Sequence, residues 1–128
     1  MGKTLVIGAS LKPHRYSHLA INRLVAAGEE VFAIGLREGV VAGVSIKKDL
    51  ALFENVDTVT LYLNSKRQKQ YYDYIISLSP RRVIFNPGTE NPEFYKLLQE
   101  NGIIAEVACT LVLLSTNQYE PQEGQKSI

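Results

Sequence analysis

Five short apolar runs, spaced along the chain by stretches of a different period, constrain this sequence more than any other feature. They are Leu5-Val6-Ile7, Val31-Phe32-Ala33-Ile34, Thr58-Val59-Thr60-Leu61-Tyr62, Val83-Ile84-Phe85 and Ile103-Ile104-Ala105. Each is mostly β-branched or aromatic and bounded by turn residues, the pattern of strands buried on both faces. Between them the spacing turns helical. Ala20, Leu24 and Ala27, flanked by Ile21 and Val25, form one stripe, and Gly28 stands where such a helix stops. Ser65 can cap a second helix, with Tyr71, Ile75 and Leu78 at i, i+4 and i+7 and Pro80 beyond its end. Asn91-Pro92 starts a third, a capping side chain followed by a residue whose missing N–H costs nothing in a first turn. Phe94, Leu97 and Leu98 are its buried stripe, and Asn101-Gly102 ends it. Strands alternating with helices in this way dictate a parallel sheet wrapped on both faces. The stretch 36–57 is the least regular. Gly39, Gly43 and Asp49-Leu50-Ala51-Leu52 predict a short excursion there with one helical turn.

Composition narrows the class. A chain of 128 residues with 45% apolar and 21% charged side chains is one ordinary globular domain. One cysteine excludes a disulfide scaffold and, with only two histidines, a typical structural zinc cluster. No apolar run approaches the length of a membrane span, and Met1-Gly2-Lys3-Thr4-Leu5-Val6 enters a strand pattern without a leader's layout, so a cytoplasmic protein is expected. The expected domain is 1–118, with 119–128 a polar, flexible tail. The net charge of +1 hides an asymmetry: residues 1–28 carry Lys3, Lys12, Arg15, Arg23 and both histidines, but no acid. There is no basic stripe of the kind that tracks nucleic acid, so the anion this region is suited to is a small one.

In doubly wound sheets ligands bind beyond the carboxyl ends of the strands, where strand order switches. The loop after the first strand, Gly8-Ala9-Ser10-Leu11-Lys12-Pro13-His14-Arg15-Tyr16-Ser17, therefore carries the main functional expectation. Gly8 allows a tight turn, and the following helix directs free N–H groups at the crevice. Ser10 and Ser17 add hydroxyls, and Lys12 and Arg15 add charge, a set that suits phosphate. The G-x-G-x-x-G dinucleotide fingerprint is missing, and the second strand runs into Gly35-Leu36-Arg37 rather than an acid for ribose hydroxyls. The two loops thus suit a nucleotide with an extra phosphate, and NADP and coenzyme A both meet that description.

Val6-Ile7-Gly8-Ala9-Ser10, Pro13, Arg15-Tyr16-Ser17, Gly28, Gly43, Val56-Asp57, Asn86-Pro87-Gly88 and Ala108-Cys109 together resemble a known pattern. It is that of the small single-domain CoA-binding proteins, related to the CoA-binding domain of succinyl-CoA synthetase, and it covers roughly residues 3–118. The resemblance implies a Rossmann-like, three-layer, doubly wound α/β fold of about five mainly parallel strands. It also implies a site for coenzyme A or an acyl-CoA. Gly8, Ala9, Ser10, Arg15, Tyr16 and Ser17 would hold the pyrophosphate. Gly35, Leu36 and Arg37 would lie by the adenosine, Tyr62, Leu63 and Asn64 would border the ligand across the switch point, and Asn86, Pro87 and Gly88 would line the floor toward the pantetheine. The family often carries Asn-Pro after the second strand, where this chain has Gly35-Leu36.

Other residues have plainer uses beside their functional ones. Cys109 follows the fifth strand, where a lone thiol is usually an inert core residue but could contact the CoA thiol. His14 and His18 lack an acid or cysteine partner nearby, which leaves solvent or phosphate contact ahead of a metal. Glu90 could serve as a base, although a turn or helix-start role is the commoner use. Leu111-Val112-Leu113-Leu114 completes the core or meets another subunit. No Ser-His-Asp arrangement, metal triad or carboxylate pair can be assembled from the sequence. The expected function is a stand-alone CoA or acyl-CoA binder, a carrier, sensor or regulatory module whose partner is a small nucleotide and not a nucleic acid or a membrane. The alternatives are an NADP-dependent enzyme or redox-sensing domain on the same fold, and an acyl-CoA enzyme acting through Glu90 or Cys109.

Overall fold

A computed structural model describes residues 2–120. The five apolar runs become the parallel strands β1 (Lys3–Ala9), β2 (Glu30–Gly35), β5 (Val56–Leu61), β6 (Arg82–Phe85) and β7 (Ile104–Val107). Two further strands, β3 (Gly39–Val41) and β4 (Val44–Lys47), arise in the stretch that the sequence assigns to an excursion with a helical turn. They form an antiparallel hairpin, and β4 pairs in parallel with β2. The reason is local. Ala42 and Gly43 both take positive φ (50° and 80°), a two-residue turn whose twist matches paired strands, and Val41 and Ile46 are buried on either side of it. The sheet order is β3-β4-β2-β1-β5-β6-β7, so the chain switches direction of growth between β1 and β5.

Alternation along the strands divides the core. Leu5, Ile7, Val59, Leu61, Val83 and Phe85 face helices α3 (Tyr72–Leu78) and α4 (Pro92–Glu100), which contribute Ile75, Phe94 and Leu98. Val6, Ala33 and Ile84 face α1 (Tyr16–Ala26) and α5 (Thr110–Ser115), with Ile21 and Leu24 from α1 and Leu113 and Leu114 from α5. The apolar run after Cys109 thus completes the core, with Val112 left exposed. Asn91 caps α4 as expected, its Oδ1 accepting the Phe94 N–H at 3.2 Å. The second predicted helix differs. Its cap is Asn64, not Ser65, and it runs as α2 (Ser65–Gln68), a 3-10 turn (Lys69–Tyr71) and then α3. Buried Gln68 explains the break in part: its Nε2–H bonds reach the carbonyls of Leu63 (2.8 Å) and Thr89 (2.7 Å), tying α2 to a loop that a straight helix would leave.

On the α5 face the sheet carries a polar cluster. Arg82, 4% exposed, donates to Thr58 Oγ1 (2.9 Å), Glu106 Oε1 (2.9 Å) and the Tyr119 carbonyl (2.6 Å), and lies 4.6 Å from the centre of the Tyr119 ring. The Tyr119 hydroxyl bonds Thr4 Oγ1. Tyr119, which composition assigns to the tail, is therefore buried in the domain, because Arg82 and Thr4 satisfy its polar atoms. Glu120 is also described, and the remainder of that expected tail, 121–128, lies outside the described residues.

Beside this cluster burial raises the Glu29 carboxyl, and the hydrogen bond and charge of Glu120 and the charge of Asp57 add to it against the pull of Arg82, to about 7. Asp57 goes the other way. Burial would raise it, but hydrogen bonds from Arg81 and Thr58 hold it below its ordinary value, so it is ionised throughout the Glu29 range. Between the ordinary 4.5 and about 7 the folded chain keeps a Glu29 proton that the unfolded chain has released. Stability therefore falls as pH rises through that window and stays lower above it. Glu29 is partly exposed, so solvent screening limits the loss to about 1 kcal/mol. Urea unfolding at about pH 5 and about pH 8 should show this decline, and Glu29→Gln should flatten it. An equal decline in the variant would assign it to other groups.

Candidate functional site

The carboxyl ends of β2, β1, β5 and β6 open into one cleft of about 820 Å³. One wall is the β1–α1 loop, with Gly8, Ala9, Ser10, Leu11, Lys12, Pro13 and Arg15, continued by Tyr16 and Ser17 at the start of α1. Gly35, Leu36 and Arg37 close the β2 side. The opposite wall is Tyr62, Leu63, Asn64, Arg67 and Tyr71, and Pro87, Gly88 and Thr89 of the β6–α4 loop complete it.

Local chemistry shapes each wall. Gly8 has φ +93°, and a Cβ there would lie 2.8 Å from the Tyr62 carbonyl oxygen, so the first wall approaches the second at the backbone. The loop beyond is braced from both sides. Ser10 Oγ accepts the Lys12 N–H at 3.1 Å, and the Ser10 carbonyl takes a hydrogen bond from His18 Nδ1 at 3.0 Å, which requires the Nδ1–H form of the ring. His18 thus holds the loop, a structural use in place of the expected solvent or phosphate contact. On the far wall Asn64 Oδ1 accepts the Arg67 N–H (3.0 Å), and Gln68 Oε1 accepts from Asn91 Nδ2 (2.9 Å). Thr89 Oγ1 donates to the Asn86 carbonyl at 2.7 Å. These polar groups satisfy one another, which makes that wall rigid.

The charges are one-sided. Lys12, Arg15, Arg37 and Arg67 line the cleft, and among the described residues no carboxylate does. Among the described residues none of these four cations has an acidic partner within 4 Å. Glu90, in the β6–α4 loop, is turned back on its own turn, its Oε1 accepting the Gly88 N–H at 3.0 Å. Such a cleft attracts a ligand that carries several negative charges.

All but one of the fifteen residues named from the sequence for a ligand site come together in this cleft. The exception is Asn86. It is 2% exposed and gives Nδ2–H bonds to Thr60 Oγ1 (2.7 Å) and the Leu61 carbonyl (2.9 Å), while its Oδ1 accepts the Thr110 N–H (2.8 Å). It fastens β5, β6 and α5 beneath the cleft instead of lining the floor. Cys109 is not brought to the cleft either; it is the residue before α5, half-buried on the α5 face. Tyr62 lies between the two regions. Its hydroxyl is closed off from solvent beside Thr60 and Thr110, which bond each other at 2.8 Å and leave it without a partner among the described residues. Burial pushes it up to about 12.

Arg67 and Thr89 line the cleft without a sequence pattern that singles them out; Tyr71, read as a helix-stripe residue, lines it too, as do Leu11, Lys12 and Pro13 of the first loop. Arg67 and Tyr71 are detectable in principle, since residues four apart after a capping Asn share a face. Thr89 adjoins the Asn86-Pro87-Gly88 turn.

The family model described as a CoA binding domain matches residues 2–115. The chain belongs to the CoA-binding-domain family. Among solved structures, an uncharacterised protein is 48% identical, with a TM-score of 0.89 over 92% of this chain and 98% of that one. A hypothetical protein from Pyrococcus horikoshii (22% identity, TM-score 0.82, 93% and 84% of the two chains) shares the fold. So does a Thermus thermophilus protein (24%, 0.81, 91% and 90%). No curated protein matches the chain. The CoA-binding-domain match spans both cleft walls and all seven strands. Among the described residues no helix is long and apolar enough to cross a membrane.

Proposed function

We propose that this chain is a binding module for coenzyme A or its thioesters, taken up in the cleft over β1 and β5. The observation that carries the proposal is a cleft with four cations and, among the described residues, no acid lining it or paired with them, found in a chain of the CoA-binding-domain family. Coenzyme A carries its charge on a pyrophosphate and a 3′-phosphate, separated by a ribose. Arg15 and Lys12 on the β1–α1 loop suit the first, and Arg37 at the end of β2 suits the second. The apolar rim of Leu11, Leu36 and Tyr16, each exposed, suits the flat adenine. The pantetheine arm then runs toward Asn64 and Thr89.

Calorimetry with CoA, dephospho-CoA, NADP and NAD tests the proposal. CoA should bind more tightly than NADP, and NADP binding without CoA binding would overturn it. Arg15→Ala should weaken CoA and dephospho-CoA together, by about tenfold. Arg37→Ala should weaken CoA by a similar factor and leave dephospho-CoA unchanged, because only CoA has the 3′-phosphate. Equal losses for both ligands in Arg37→Ala would remove that residue's assignment.

A further inference from the structure

We infer that the ligand bound best is a CoA thioester whose acyl group ends in a carboxylate, and that Arg67 is the residue that selects it. This rests on the CoA reading above and names the acyl class within it. Three of the four cleft cations, Lys12, Arg15 and Arg37, belong to the β1–α1 loop and the end of β2. They match the two phosphate groups of CoA. Arg67 stands on the other wall, past the switch point, in α2 after β5. From β2 to β6 is three strand spacings, about 14 Å, so a ligand with its adenosine over β2 brings its thiol end to the β5–β6 side. There it meets Arg67, Tyr71 and Thr89, and no phosphate is left to meet the guanidinium.

Arg67 is exposed, and two features hold it available at the rim of the cleft. Its neighbour Gln68 is fully buried and bonded to the Leu63 and Thr89 carbonyls, which fixes the Arg67 backbone on the rim of the cleft. In addition, Arg67 has no carboxylate partner among the described residues, although Glu93 is close enough to α2's continuation to pair with Lys69 at 4.0 Å. A guanidinium offers a planar fork that matches a carboxylate in two parallel hydrogen bonds. Neutral acyl chains have nothing to place there, and Tyr71 beside it provides an apolar surface for the short methylene chain between thioester and carboxylate.

The test compares succinyl-CoA with butyryl-CoA, which has the same chain length and no terminal charge, using free CoA as the reference ligand. The unmodified protein should bind succinyl-CoA at least about fivefold more tightly than butyryl-CoA, with the margin shrinking at high salt. Arg67→Gln should erase that margin, costing succinyl-CoA more affinity than CoA or butyryl-CoA, and Arg67→Lys should restore part of it. Binding of CoA with equal affinity for the two thioesters overturns this inference alone. So does a margin that survives in Arg67→Gln. Failure of CoA itself to bind overturns the proposed function, and the inference falls with it.

Discussion

Replacing Arg82 by methionine is expected to cost about 3 kcal/mol of folding stability. The side chain is nearly solvent-free and meets three acceptors on three segments: Thr58 on β5, Glu106 on β7 and the Tyr119 carbonyl. Methionine fills much of the same space, so the loss measures abandoned acceptors more than an empty cavity. Glu106 is a third exposed and can be rehydrated, which places the figure at the lower end for a broken buried pair. Glu106→Gln keeps an acceptor for the guanidinium and should cost only about 1 kcal/mol. Urea unfolding of the two variants supplies the comparison. A loss below about 1 kcal/mol in Arg82→Met would mean that ring burial and the Thr4 hydrogen bond hold Tyr119 without the guanidinium.

Gly8→Ala is the second large effect, and it joins stability to the cleft. The added methyl group must sit at φ +93° and 2.8 Å from the Tyr62 carbonyl oxygen, a backbone atom that cannot swing aside. The cost is about 2–4 kcal/mol, part from the left-handed backbone and part from the clash. Gly28 separates the two parts. It has φ +84°, but a methyl group there would meet nothing within 4 Å, so Gly28→Ala should cost only the conformational share, about 1 kcal/mol. Gly8→Ala should also lower CoA affinity, since relief of the clash spreads the two cleft walls, whereas Gly28→Ala should leave affinity unchanged. Equal stability losses in the two variants would show that the close approach of β1 to Tyr62 is not a constraint.

The parts of the site that can be read from the chain are those whose chemistry is contiguous. The β1–α1 wall is one decapeptide followed by a helix start, and Gly35-Leu36-Arg37 follows a strand directly. The far wall is only half visible. Tyr62-Leu63-Asn64 and Pro87-Gly88 come at strand ends, but Arg67 and Tyr71 enter through a helix that breaks into a 3-10 turn, which its apolar spacing does not announce. The resemblance implies a floor role for Asn86 along with Pro87 and Gly88; whether its side chain points up to a ligand or sideways to Thr60 and Thr110 depends on strands distant in sequence.

Periodicity is a local property, set by which side chains must leave water within a few residues, so the sequence by itself determined the parallel α/β sheet and the basic, acid-free loop that follows its first strand. Pairings between remote residues have no local signature. Only the tertiary structure decided that β3 and β4 extend the sheet, that Tyr119 is clamped by Arg82 across 37 positions, and that Arg67 faces the first wall's cations across an acid-free cleft. Each of those follows from which strands become neighbours, and buried polar groups accept only the partners that such neighbours bring within hydrogen-bond reach.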